Sequence, residues 1–149
     1  MPNWCENSLT IHADTEDKES MGQLKELVEK AKNKGDEDTE KNPFSMDKFI
    51  PRPSGEDSNW YDWNCAKWGT KWDTCETFVE DVNLKHGFIK YAFMTAWAPP
   101  EPFIKSIGNM YPKLEFFLKY EEPGMGYMGV LRVVDGEVTV EKYMNYYES

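Results

Sequence analysis

The sequence predicts an α+β fold in which two main helices cover one face of an antiparallel sheet. Three observations carry that expectation. Apolar residues recur at helical spacing in two stretches, one around Leu24 and one around Ile104. The segments flanking each stretch alternate apolar and polar residues, as half-buried strands do. Asp135-Gly136, between two such segments, is the strongest hairpin signal in the chain.

Leu9 and Ile11 alternate with polar neighbours over Ser8–His12, which predicts a first strand. From Asp17 to Lys34, Met21, Leu24, Leu27, Val28 and Ala31 fall on one helical stripe, with Gly35 placed to stop it. Ser20 and Gln23 have capping-box spacing, so Ser20 competes with Asp17 as the helix start. Asp36–Asn42 is a charged, turn-rich connector, read as a solvated segment. Phe44–Ile50 returns to apolar character before Pro51-Arg52-Pro53 imposes an extended path that holds Arg52 on a stiff backbone.

Glu76–Val82 reads as a strand with Phe78 pointing inward, and Asn83–Gly87 as a turn. Phe88–Ala96 is the clearest strand. The prolines of Ala98–Pro102 end it and open a helix near Pro102, with Phe103, Ile104, Ile107 and Met110 as its buried stripe. Pro112 prevents continuation. Leu114–Glu121 places Leu114, Phe116, Leu118 and Tyr120 on one strand face, and Tyr127–Val134 with Glu137–Tyr143 completes a hairpin. The resulting order matches a ferredoxin-like plan with a Trp-rich insertion and an extra C-terminal hairpin strand, in a single domain over 1–149.

Composition narrows the function classes. A chain of 149 residues buries roughly 70% of its unfolded surface. No apolar run reaches the ~18–20 residues of a membrane span, and no signal peptide is evident, so a soluble intracellular protein is expected. Three cysteines without a C-x-x-C spacing fit reduced thiols. Seventeen basic residues against 27 acidic ones give a net charge of −10, and only Arg52 and Arg132 are arginine. That is poor equipment for gripping a phosphate backbone, so direct duplex binding is not expected.

Four of the six tryptophans, Trp60, Trp63, Trp68 and Trp72, lie in the insertion Asn59–Asp73. An indole suits a site with one dry end and one wet end, because its N–H needs a partner when buried. Aromatic faces also stack on nucleobases, for ~1–3 kcal/mol per base. The candidate ligand-binding set is Arg52, Trp60, Trp63, Trp68, Lys71, Trp72, Asp73 and Trp97. In this reading Arg52 and Lys71 meet a phosphate, and Asp73 accepts hydrogen bonds from a base edge or sugar. The competing reading is an indole cluster that covers the sheet, with Lys71 and Asp73 satisfying local polar groups.

Catalytic and metal chemistry find less support. His12, His86 and the cysteines lack ligand spacing, and G-x-S-x-G, P-loop and H-E-x-x-H motifs are absent. Met1-Pro2 raises the idea of an N-terminal proline base, but Asn3-Trp4-Cys5 follows rather than an apolar strand. The expectation is a non-enzymatic protein with no cofactor and no metal.

Several segments together resemble a known family. They are Pro2–Asn7, Trp68–Asp73, Phe93–Pro100, Tyr111-Pro112 and Tyr120–Gly124. In this order the combination resembles the YubB ferredoxin-like family carried by bacteriophages, plasmids and related mobile elements. The resemblance implies a ferredoxin-like fold, a phage or plasmid origin and action in the cytoplasm of a bacterial host. It supplies no catalytic residues.

Two functional expectations follow. One is a counter-defence or host-modulating binder that captures a nucleotide-like small ligand in a Trp-lined cleft. The other is an acidic protein-binding inhibitor, a nucleic-acid mimic in one version, directed at a host defence or nucleic-acid enzyme. The free C-terminal strand edge also allows a homo-oligomer.

Overall fold

The computed structural model describes residues 3–37 and 40–147. In chain order the elements are β1 (Trp4–Ala13), α1 (Lys18–Lys30), α2 (Trp60–Lys67), β2 (Cys75–Asn83), β3 (Phe88–Ala96), α3 (Glu101–Met110), β4 (Leu114–Glu122), β5 (Tyr127–Val134) and β6 (Glu137–Asn145). The strands form one antiparallel sheet in the order β2-β3-β1-β4-β5-β6. Its first four members have the ferredoxin-like arrangement, and β5–β6 extends it past β4. Pro2, weighed and set aside as an amine base, lies outside the described residues.

Alternation decides which face is dry. Leu9 and Ile11 of β1, Ile89, Tyr91 and Phe93 of β3, and Leu114, Phe116 and Leu118 of β4 point into one core. Leu24 and Leu27 of α1 and Phe103, Ile104 and Ile107 of α3 close that core from the same side. The segment between α1 and α2 fills the remaining space. Phe44 is fully buried, with ring centroids 4.6 Å from Tyr91 and 5.6 Å from Phe93. Offset aromatic contacts of this kind add about 0.5–1.5 kcal/mol beyond area burial.

Helix α1 starts at the earlier of the two positions that the sequence allows. The Asp17 carboxylate accepts the Glu19 and Ser20 N–H groups at 2.9 and 3.4 Å. Ser20 has a different role: its buried hydroxyl donates to the Lys113 carbonyl at 2.8 Å and accepts from the Asp14 N–H at 2.9 Å. The helix ends at Lys30 rather than at Gly35. There the chain turns back, Ala31 O accepting from Ser45 N at 2.9 Å and Asn33 pairing with Asn42.

Two inward assignments are corrected. Phe78 is 56% exposed. It pairs with Ala92, whose side chain lies opposite the inward Tyr91, so Phe78 stands on the open face of the sheet. Strand β2 is an edge strand with two register shifts, which erase the simple alternation on which the inward reading rested. Met110 is 46% exposed, and buried Gly108 takes the last inward place on α3. A Cβ on Gly108 would stand 2.6 Å from Val133 Cγ1, so the missing side chain is what lets α3 approach β5. Both terminal strands are longer than expected, β1 beginning at Trp4 and β6 running to Asn145.

Candidate functional site

The insertion between α1 and β2 folds as two short 3-10 turns, Met46–Lys48 and Ser54–Asn59, followed by α2 and an irregular return. Gly69 permits that return by adopting φ +85 against Pro102. A cleft of about 610 Å³ opens within the insertion, lined by Arg52, Trp60, Trp68, Trp72 and Asp73 of the predicted set. Asn33, Ser45, Asp47 and Asn64 complete the lining. Such a volume falls in the range of small-ligand sites, about 300–1,000 Å³.

Each side chain in it has a traceable support. Trp68 is buried, its indole N–H donating to Ile50 O at 3.0 Å. Trp63 does not line the cleft; it meets Trp68 edge-on at 5.4 Å and packs against the core behind it. Arg52 reaches Asn64 Oδ1 with Nη1 at 3.4 Å, and Asn64 Nδ2 donates to Lys71 O at 2.9 Å. Buried Asn64 therefore ties the guanidinium to the return loop. Among the described residues no protein acceptor engages the indole N–H of Trp60 or Trp72.

Lys71 lies outside the lining and holds its ammonium 4.6 Å from the Trp72 ring centroid, a cation–π contact. Trp72 also meets the ring of Trp4, from the start of β1, at a tilt of 37° with centroids 6.0 Å apart. Trp97 lies elsewhere. It is 47% exposed with φ 76, its N–H donates to Asn3 O at 2.9 Å, and its carbonyl accepts from the Tyr127 hydroxyl at 2.9 Å.

Asp73 faces the cleft with its acceptor positions already in use. Its carboxylate accepts from Ser45 Oγ and Met46 N at 2.7 Å, Thr74 N at 2.7 Å and Asp47 N at 3.2 Å. These bonds cap the 3-10 turn Met46–Lys48 from across the insertion, the kind of polar satisfaction that the competing reading of the sequence gave to Asp73. Burial pushes its carboxyl pKa up, while those four hydrogen bonds pull it down without cancelling the rise. The cleft therefore combines three indole walls, one guanidinium and a set of fixed polar groups.

Asn33, Ser45, Asp47 and Asn64 were not among the predicted site residues. None belongs to a motif, and the irregular connector and α2 bring them together. For metal chemistry, the described residues contain no group of three or more His, Cys, Asp or Glu side chains placed to hold an ion. Among the described residues no helix is long and apolar enough to cross a membrane.

The architecture defines an α+β ferredoxin-like protein with an inserted aromatic cleft. Residues 67–149 match the family described as the ferredoxin-like domain in Api92-like protein, and the chain belongs to that family. Its fold is similar to the crystal structure of the protein api92 from Yersinia pseudotuberculosis, with a TM-score of 0.66 and 9% sequence identity. That similarity covers 97% of this chain and 98% of the other. No curated protein matches the chain.

Proposed function

We propose that the chain is a non-enzymatic accessory protein of the YubB type, encoded by a phage or plasmid and acting in the cytoplasm of a bacterial host. In this reading it captures a nucleotide-like ligand and so modulates or counters a host system. The observation that carries the ligand reading is the convergence of Trp60, Trp68 and Trp72 with Arg52 on one cleft. Indole faces provide a sequence-tolerant platform for a planar base, and Arg52 provides a fork for an anionic group. Asn64 holds that fork in place, which lowers the ordering cost of binding.

The test is native mass spectrometry of protein purified gently from a bacterial host, alongside intrinsic fluorescence titrations with mono- and dinucleotides. A co-purifying mass that Trp60→Ala and Arg52→Ala each remove, with matching loss of tryptophan quenching, supports the reading. A bare mass together with no quenching at millimolar nucleotide rejects it. The second reading, an acidic inhibitor of a host protein, draws on the net charge of −10 with only two arginines.

A further inference from the structure

The open face of the sheet carries a feature independent of the cleft. Cross-strand pairing sets Cys75, Met94, Glu6, Glu121, Met128 and Met144 in one continuous row across all six strands. Three of the chain's eight methionines stand in it. Met128 and Met144 are 38% and 50% exposed, and Glu6 is exposed between Met94 and Glu121. Four members of the row, Glu6, Glu121, Met128 and Met144, line a depression of about 910 Å³ together with Phe117 and Val130, and Met94 stands next to Glu6 at its edge. Exposed, flexible methionines on a shallow apolar floor form an adaptable docking surface.

Charge is sorted along this face. Glu6 and Glu121 lie in the methionine row, and Glu121 also accepts from the Tyr146 hydroxyl at 3.0 Å. Lys119 and Lys142 stand one row further in. Beyond them Lys90 pairs with Glu80 at 3.4 Å and Arg132 with Glu115 at 2.7 Å. A partner that seats apolar groups on the methionines therefore meets carboxylates along the row and ammonium groups on its inner flank. With the chain at −10 overall, a second copy is repelled and a cationic partner is attracted.

We propose that this row docks a basic amphipathic helix of a partner protein, with its apolar stripe on Met94, Met128 and Met144 and its cations directed to Glu6 and Glu121. Six strands spaced at about 4.8 Å make a row of about 24 Å, which a helix of about 16 residues covers at 1.5 Å per residue. The same end of the sheet exposes Trp97 in a left-handed conformation that the Asn3 and Tyr127 hydrogen bonds hold.

The experiment uses an 18-residue Leu/Lys amphipathic peptide as probe, a Leu/Glu peptide of equal amphipathicity as control, and methyl NMR of the full chain labelled at methionine. The expected result is binding of the Leu/Lys peptide alone, with shifts at Met94, Met128 and Met144. Glu6→Lys weakens it by about tenfold and Lys119→Glu tightens it, whereas Glu29→Lys, an equal change in net charge on α1, has less than about twofold effect. All three substitutions are at exposed positions, and circular dichroism confirms folding. Equal weakening by Glu6→Lys and Glu29→Lys reduces the binding to net charge and overturns the proposal. So does binding of the Leu/Glu peptide with similar affinity, or a failure of the three methyls to shift.

Discussion

Cys5 shows how burial alone sets the chemistry of one residue. Its side chain is fully buried, and that burial pushes the thiol up to about 12, with Glu122 and Glu6 adding to the rise and contacts from Tyr127 and Thr95 opposing it. The sign of the pH effect follows. The folded state holds this proton more tightly than the unfolded chain, so the associated stability is fully present below the ordinary value of 9.0 and is lost as pH rises toward about 12. One proton corresponds to at most about 1.4 kcal/mol per pH unit in that window. Urea unfolding between pH 8 and pH 11 is expected to show falling stability, with a shallower fall in Cys5→Ala. An unchanged slope in the variant assigns the loss to other groups, such as Tyr127, whose hydroxyl burial also pushes up. At the same scale, Asp73 separates the two readings that the sequence left open for it. A carboxylate beside Trp72 looks available to a ligand, yet its oxygens are committed to Ser45, Met46, Asp47 and Thr74.

Among the elements, α3 makes the most consequential contact that sequence pattern hides. Gly108 lies on its inward side, and a methyl group there would meet Val133 Cγ1 at 2.6 Å. Gly108→Ala improves helix propensity by about 0.8–1 kcal/mol, but overpacking against a short branched neighbour costs about 1–3 kcal/mol. The net expectation is a loss of up to about 2 kcal/mol that is smaller when Val133→Ala is already present in the same chain, read by chemical denaturation in a double-mutant cycle. Additive losses would mean that the two positions do not press on one another. The strands tell the complementary story. β3 and β4 were legible because each is flanked by strands and buries one face, so alternation and burial agree at Tyr91, Phe93, Phe116 and Leu118. β2 failed at Phe78 because an edge strand with register shifts and an open face obeys no strict period. The Trp-rich stretch announced a shaped aromatic insertion. Its cleft, however, depends on Asn33 and Ser45 as well, which only the folded connector brings near the indoles.

Across the whole molecule, the insertion and the terminal hairpin share one core with the ferredoxin-like sheet. Phe44, Met46 and Trp68 of the insertion belong to the same buried cluster as Leu131 and Val133 of β5 and Ile104 and Ile107 of α3. A chain assembled in this way should unfold as one unit, because losing the hairpin uncovers the helix that supports the aromatic segment. Leu131 is fully buried, and Leu131→Ala is expected to cost about 2–5 kcal/mol. Two probes decide whether that loss is shared. Tryptophan emission reports mainly on the insertion, which holds four of the six indoles, whereas the far-ultraviolet signal reports on the sheet and helices. Both transitions should move together to lower urea in Leu131→Ala and remain superimposable. If only the far-ultraviolet transition moves, the insertion holds its structure without the hairpin, and the cleft is then a separately stable graft on the sheet. Coincident transitions instead tie the geometry of Trp60, Trp68 and Trp72 to strands remote from them in sequence. Any core substitution that loosens β5 should then disturb the arrangement of these indoles without touching them, which a shift in native-state tryptophan emission would report.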